Sequence, residues 1–170
     1  GQFTVTLGWR DAETHTRAND AFYEQYKAGT LDIQEYIRFS VAPLAEHGVE
    51  RSDAAHRQFM DEVIRPAMKP QAIELVRRHQ AAGDQVLIVT ATNEFVTRPI
   101  ATAFGVPELI AIDLERDAQG NPTGAIRGTP SFREGKVARV EQWLAERGLD
   151  WSRVEHSTFY SDSINDLPLL

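Results

Sequence analysis

The chain has 170 residues, 42% of them apolar and 25% charged, an ordinary composition for a globular protein. The net charge of −7 disfavours a nucleic-acid partner, and the lack of cysteine excludes disulfides, thiolate catalysis and cysteine-based metal centres. No stretch of about 18 apolar residues occurs, so we expect neither a membrane-spanning helix nor a membrane partner. A cysteine-free chain also fits a cytoplasmic protein.

The first third of the chain has the periodicity of helices. The apolar spacing predicts three of them, over residues 11–28, over residues 31–45 and from about residue 52 onward. Asp11 is placed to cap the first helix, and Gly29 is placed to end it. Prolines at positions 66 and 70 then interrupt the helical pattern. We therefore expect a helical cap domain over residues 1–69.

From Pro70 onward the pattern alternates between helix and strand. Val86–Val89 is a short continuous apolar run, which is typical of a strand buried on both faces of a parallel sheet. The elements expected after the helix at 70–83 are a strand at 86–89, a helix at 93–104, a strand at 109–112, a hairpin over 112–126, a helix at 135–147, a strand at 157–160 and a helix from 164. This alternation predicts an α/β fold with a doubly wound parallel sheet over residues 70–170.

Polar residues that follow the apolar strands are the first candidates for a site, because ligands bind beyond the carboxyl ends of such strands. Asp162 ends one predicted strand and Asp166 lies four residues on, so both carboxylates can reach one side of a turn and bind Mg²⁺. Alternatively, Asp162 only caps the next helix. The hydroxyl of Thr90, after the first strand, can bind a phosphate or can belong to an ordinary strand end.

Lys136 stands in the first turn of a predicted helix. A lysine there opposes the helix dipole, a cost that is explained if its ammonium reaches an anion in the cleft. The alternative is a solvated surface lysine. The neighbouring Arg133 and Glu134 are interpreted as surface charges.

These residues occur in an order that resembles three motifs of the haloacid dehalogenase superfamily. Thr90 follows an apolar strand, Gly135-Lys136 opens a helix, and Asp162 and Asp166 form the last motif. The run Asp-Ser-Ile-Asn-Asp-Leu-Pro at 162–168 is similar to the fourth motif of the phosphoserine-phosphatase-like branch. The resemblance covers nearly the whole chain. It implies a Rossmann-like core with a helical cap inserted before the second motif.

The resemblance also implies an activity. A member of this branch would hydrolyse a small phosphomonoester with Mg²⁺ as cofactor, through an aspartyl-phosphate intermediate. By motif position, Thr90 and the backbone N–H of Ala91 would hold the phosphoryl oxygens, and Lys136 would bridge nucleophile and phosphate. Asp162 would bind Mg²⁺, and Asp166 would support it.

Three further residues are weaker candidates for substrate contacts. Asn165 would touch the phosphate or a metal-bound water, and Asn93 falls close to the same strand end. Arg38 is the nearest basic residue on the cap helix that would contact the leaving group. The substrate stays open among phosphoserine, histidinol phosphate and other small phosphomonoesters.

The first motif of the family, Asp-x-Asp-x-Thr/Ser, does not occur in these 170 residues. Its strand would lie between the strands that end at Thr90 and Tyr160, and its loss would leave backbone groups unpaired. We therefore expect roughly twenty more residues upstream of Gly1, carrying the nucleophile, and more chain beyond Leu170. The alternative is a non-catalytic domain that binds phosphate or a metabolite and has lost its nucleophile.

Overall fold

The structure, a computed structural model, describes residues 2–169, and its first 66 residues are mainly helical. The elements there are α1 (Gln2–Thr6), α2 (Ala12–Ala28), α3 (Ile33–Phe59), a π-helical turn (Met60–Ile64) and α4 (Arg65–Ala67). The predicted ends of α2 are confirmed. The Asp11 carboxylate accepts the N–H of Thr14 at 2.8 Å, and Gly29 follows the helix with the left-handed φ of 74°.

Helix α3 spans the two helices predicted over residues 31–45 and from about residue 52, and the predicted break between them lies at Gly48. The chain bends at Gly48, which has φ 78° and ψ 168°, and then continues as helix. Ser52, the predicted start of a new helix, is buried and donates its hydroxyl across the bend to the Leu44 carbonyl at 3.3 Å. No helix within residues 2–169, α3 included, is both long and apolar enough to cross a membrane.

The second part of the chain alternates between helices and strands. It contains α5 (Pro70–Ala81), β1 (Leu87–Asn93), α6 (Glu94–Ala103), β2 (Glu108–Ile112), β3 (Leu114–Arg116), β4 (Pro122–Ile126), α7 (Glu134–Ala145) and two 3₁₀ turns (Trp151–Arg153 and Ile164–Leu169). Strands β1 and β2 pair in parallel, with Leu87 opposite Glu108, whereas β3 and β4 form an antiparallel hairpin. The predicted α/β fold with a parallel sheet is confirmed.

Two apolar clusters hold these elements together. In the first, Ile37 and Val41 of α3 pack against Ile112 and Leu114 at the end of β2 and the start of β3. In the second, Ile110 of β2 packs against Val140 and Leu144 of α7. Each such side chain, once buried, contributes about 1.5–3 kcal/mol. The clusters fasten the helical part and α7 to the sheet.

The predicted strand at residues 157–160 is wrong. This segment has no regular structure, and within residues 2–169 β1 pairs only with β2. Apolar residues alone do not make a strand, because its backbone groups need a neighbouring strand as partner. The helix predicted from residue 164 is a 3₁₀ turn over Ile164–Leu169, and Leu170 lies outside the described residues.

The hairpin is held against α3 by the side chain of Gln34. Its amide nitrogen donates to the Gly124 carbonyl at 2.8 Å, and its amide oxygen accepts the N–H of Ile126 at 3.4 Å. Gly124 has a left-handed φ of 88°, and a Cβ built there would lie 3.3 Å from Cγ of Arg38. Helix α3 therefore lies directly along β4.

The Glu108 carboxylate ties β2 to α7 and should make stability depend on pH. It accepts the indole N–H of Trp143 at 2.9 Å and a guanidinium N–H of Arg147 at 2.7 Å. The Trp143 hydrogen bond first, and then Arg147, hold the pKa of this carboxyl below its usual value. A lowered folded pKa gives stability that is present above the unfolded pKa of about 4.3 and is lost as pH falls through the folded pKa.

We expect Glu108→Gln to lower the Tm at neutral pH. The difference from the natural protein should shrink as the solution is acidified below about pH 4, because a protonated glutamate resembles glutamine there. Thermal unfolding followed by circular dichroism across this pH range measures the effect. The exposed Glu141→Gln is the matched control. A Tm difference that stays constant with pH would contradict the role of Glu108.

Candidate functional site

A pocket of about 450 Å³ lies where β1 approaches its carboxyl end. Five predicted site residues line it together: Thr90, Ala91, Lys136, Asp162 and Asp166. They come from three separate parts of the chain, namely β1, the first turn of α7, and the last 3₁₀ turn with the segment just before it. The volume is in the range of sites for small molecules. The fold therefore brings together the residues that the sequence motifs selected.

Lys136 is not a surface lysine. Its side chain is buried, and its ammonium donates to Oδ1 of Asp166, which is also buried. Oδ2 of Asp166 accepts the hydroxyl of Ser161 at 2.6 Å. Buried charges of this kind are stable only when they are paired and hydrogen-bonded. The pair places one positive and one negative charge against the pocket.

The turn before α7 fixes the position of Lys136. Gly135 has no room for a side chain, because a Cβ there would overlap the carbonyl oxygen of Pro130. Gly135 N–H donates to the Phe132 carbonyl at 3.0 Å, and Phe132 N–H donates to the Pro130 carbonyl at 2.8 Å. Arg133 sits between them with a φ of 52°, an unfavourable conformation for a residue with a side chain. This tight turn delivers Lys136 to the pocket.

Two hydrogen bonds fix the orientation of Thr90, one at its hydroxyl and one at its backbone carbonyl. Its Oγ1 accepts the N–H of Thr92 at 3.1 Å, so the hydroxyl proton remains available for a ligand. Its carbonyl accepts the hydroxyl of Ser131 at 2.6 Å. Ser131 is fully buried and joins β1 to the loop before α7. Sequence reasoning missed Ser131, because a serine in a loop carries no pattern that marks it as buried.

Asp162 lines the pocket, is exposed, and makes no hydrogen bond or ion pair to any part of residues 2–169 that the structure describes. The alternative that it caps the following turn is not observed, because the hydroxyl of Ser163 accepts the N–H of Asn165 at 3.3 Å instead. Within residues 2–169 no group of three or more acidic or histidine side chains could hold a metal. Mg²⁺ needs fewer, since one or two carboxylates commonly suffice.

Asn93, Asn165 and Arg38 do not line the pocket. Asn93 is buried and caps α6, with Oδ1 accepting the N–H of Val96 at 3.1 Å. Asn165 is buried and its Oδ1 accepts Nε of Arg133 at 3.4 Å, whereas its Nδ2 has no partner within the described residues. Arg38 packs over Gly124 of the hairpin. Arg133 is thus half-buried and engaged rather than a free surface charge, while Glu134 is exposed.

Six aromatic side chains also line the pocket. Tyr160 is one of them, and we call the other five, Phe22, Tyr23, Tyr26, Tyr36 and Phe132, the aromatic wall. The Tyr26 hydroxyl hydrogen-bonds the hydroxyl of Ser163, which links α2 to the segment that carries Asp162. Burial raises the pKa of Tyr36, because the phenolate is disfavoured away from water. Phe22 and Tyr26 recur at helical spacing along α2, a pattern that predicts a helix and does not mark a site.

Comparison with known proteins identifies a family and named relatives. Residues 2–170 match the family described as haloacid dehalogenase-like hydrolase. The chain is 43% identical to a histidinol-phosphatase of Neisseria meningitidis serogroup C (strain 8013), over 99% of this chain and 76% of that protein. It is 28% identical to phosphoserine phosphatase SerB1 of Mycobacterium tuberculosis (strain ATCC 25618 / H37Rv), over 95% of this chain and 51% of that protein.

One solved structure is similar to nearly the whole of this chain. The crystal structure of a protein with unknown function from Bordetella pertussis Tohama I superposes with a TM-score of 0.88 and 49% identity, over 98% of this chain and 75% of that chain. The family match spans the described residues, and the relatives cover nearly all of the chain. The chain therefore belongs to the haloacid dehalogenase-like hydrolase family.

Proposed function

We propose that the protein is a phosphatase that hydrolyses a small-molecule phosphomonoester in the pocket at the end of β1. The observation that carries the proposal is the buried Lys136, which the turn at Gly135 holds in a pocket shared with Asp162, Asp166 and Thr90. An ammonium kept away from water at that position suits the recognition of an anion. Relatives named as phosphatases support the same class of reaction.

The pocket offers donors for phosphoryl oxygens. The Thr90 hydroxyl keeps its proton free for donation because its oxygen already accepts the Thr92 N–H. The backbone N–H of Ala91 lies in the same stretch of β1, and Lys136 adds a positive charge. Hydrogen-bond donors and a cation fixed before the reaction stabilise the charge that develops on a transferring phosphoryl group.

Asp162 would hold the Mg²⁺ ion, and Asp166 would support it. Among the described residues, the charged side chains that line the pocket are Lys136, Asp162 and Asp166, which sum to −1 and would repel a phosphate without a further cation. Within residues 2–169 neither oxygen of Asp162 has a partner, so both can bind the metal, and Asp166 supports the site while it holds Lys136. A bound Mg²⁺ would supply the positive charge that neutralises the phosphoryl oxygens.

The nucleophile in this proposal is an aspartate of an Asp-x-Asp motif upstream of Gly1. Both carboxylates that line the pocket already have the roles of metal binding and of pairing with Lys136. A carboxylate oxygen would form a bond to phosphorus as the ester P–O bond breaks, and the leaving alkoxide would take a proton. Water would then hydrolyse the aspartyl-phosphate and release inorganic phosphate. A domain that only binds phosphate would perform neither step.

A panel of phosphomonoesters tests the proposal on the full-length protein. Phosphate release is measured with Mg²⁺ and after its removal by a chelator. We expect release that depends on Mg²⁺. Binding of inorganic phosphate without hydrolysis of any ester would overturn the proposal and would establish the non-catalytic binding domain in its place.

Asp162→Asn should separate catalysis from folding. We expect phosphate release to fall about 100-fold or more, because a charge that stabilises the transition state is lost. The free energy of unfolding should change by less than about 0.5 kcal/mol, because the side chain is exposed and has no partner within residues 2–169. Asp53→Asn, at an exposed carboxylate outside the pocket, is the control. Full activity in the Asp162 variant would exclude its role at the metal.

A further inference from the structure

We propose that the pocket selects phosphate esters of small cationic alcohols, which carry an amine or a flat nitrogen ring and no carboxylate. This inference rests on the proposed phosphatase function and specifies the leaving group. It follows from the charges around the pocket, from the aromatic wall and from polar groups of the wall that have no partner.

The charges disfavour a carboxylate on the leaving group. Lys136 is the one basic side chain among the described residues that line the pocket, and it is paired with Asp166. Two other cations lie next to residues of the wall, but both are engaged. Lys27 pairs with Glu24 at 2.6 Å, and Arg133 donates to Asn165. A leaving-group carboxylate would therefore find no unpaired basic side chain among the described residues that line the pocket.

The aromatic wall favours a cation or a flat ring. The face of an aromatic ring attracts ammonium and similar groups and also stacks on planar rings. Two members of the wall already hold cations of this chain: Lys27 Nζ lies 4.9 Å from the ring centre of Tyr23, and Arg133 Cζ lies 4.9 Å from that of Phe132. Tyr23 is 57% exposed, so a ligand can reach it.

Two polar side chains that line the pocket, Tyr36 and Asn19, can orient such a leaving group. The Tyr36 hydroxyl makes no hydrogen bond within the part of the chain that the structure describes, and the same is true of the Asn19 side chain. Because Tyr36 stays a neutral phenol, it can donate to or accept from a ligand nitrogen. A cationic alcohol would thus meet aromatic rings and the neutral polar groups of Tyr36 and Asn19.

Four esters test the ranking on the full-length protein: histidinol phosphate, O-phosphoethanolamine, O-phosphoserine and glycerol 3-phosphate. Phosphoethanolamine and phosphoserine differ only by the carboxylate, so their kcat/KM ratio isolates its effect. We expect at least a tenfold preference for phosphoethanolamine and the highest value for histidinol phosphate, corresponding to about 1.4 kcal/mol per tenfold step. Phosphoserine equal to or better than phosphoethanolamine would overturn the inference. Hydrolysis of none of the esters would instead overturn the phosphatase proposal.

Variants of Tyr23 test the wall directly. Tyr23→Leu should raise the KM for histidinol phosphate about tenfold with kcat changed by less than about twofold, whereas Tyr23→Phe should keep the KM, because the ring face remains. Leu149→Ala, at an exposed apolar residue that does not line the pocket, is the control.

Binding without turnover gives a second readout. Calorimetric titration with histidinol should show binding that Tyr23→Leu weakens, and serine should bind more weakly than histidinol. An unchanged KM and unchanged histidinol affinity in Tyr23→Leu would exclude the aromatic wall as the leaving-group site.

Discussion

Lys136→Ala is expected to abolish phosphate release and to lower the free energy of unfolding by about 3–5 kcal/mol. The activity is lost because the pocket loses the one basic side chain that lines it among the described residues. The stability is lost because Asp166 keeps a buried charge without its ammonium partner. Phosphate release assays and urea unfolding measure the two effects separately.

The double variant Lys136→Met with Asp166→Asn tells the two causes apart. Removing both charges takes away the unpaired carboxylate, so most of the lost stability should return while activity stays absent. Lys69→Ala, at an exposed lysine, should change neither quantity. A single Lys136→Ala variant that keeps wild-type turnover would remove Lys136 from the proposed mechanism.

Gly135→Ala is expected to be nearly as damaging although it adds only one methyl group. The new Cβ would overlap the Pro130 carbonyl oxygen, which is backbone and cannot move aside alone. We expect a loss of about 3 kcal/mol from overpacking. Because Lys136 is the next residue, a displacement of about 1 Å should also lower kcat about 100-fold. Thermal unfolding and steady-state kinetics measure these changes.

Gly128→Ala is the matched control in the same connection. Gly128 has a left-handed φ of 73° but no atom within 4 Å of a built Cβ. Its substitution should cost about 1 kcal/mol from backbone strain, with kcat preserved. A Gly135→Ala variant that loses no more stability than Gly128→Ala would mean that the overlap with Pro130 is relieved at little cost and does not set the requirement for glycine.

Local patterns predicted most of the fold. The cap at Asp11, the stop at Gly29 and the apolar run at 86–89 are signals within a few residues, and the corresponding elements are observed. The prediction failed where the outcome depends on distant partners. Residues 157–160 find no strand to pair with among the described residues.

In the candidate site, too, the sequence predicted the main residues but not the tertiary contacts that position them. Thr90, Lys136 and Asp162 were found through the order of motifs, although each alone had an ordinary structural explanation. The contacts that place them are tertiary: Ser131 reaches Thr90 over 41 positions, and Arg133 reaches Asn165 over 32. No periodicity encodes such contacts. The assignment of Asn93, Asn165 and Arg38 to substrate stays a prediction, since none of the three lines the pocket.

The side chain of Gln34 has a consequence for how the protein behaves at high concentration. One edge of β4 is paired with β3, and an unpaired strand edge is a template for a strand from another molecule. Gln34 presents an amide donor and an amide acceptor to Gly124 and Ile126, as a neighbouring backbone would. Helix α3 thus blocks edge-to-edge association of the hairpin and protects the protein from aggregation by strand addition.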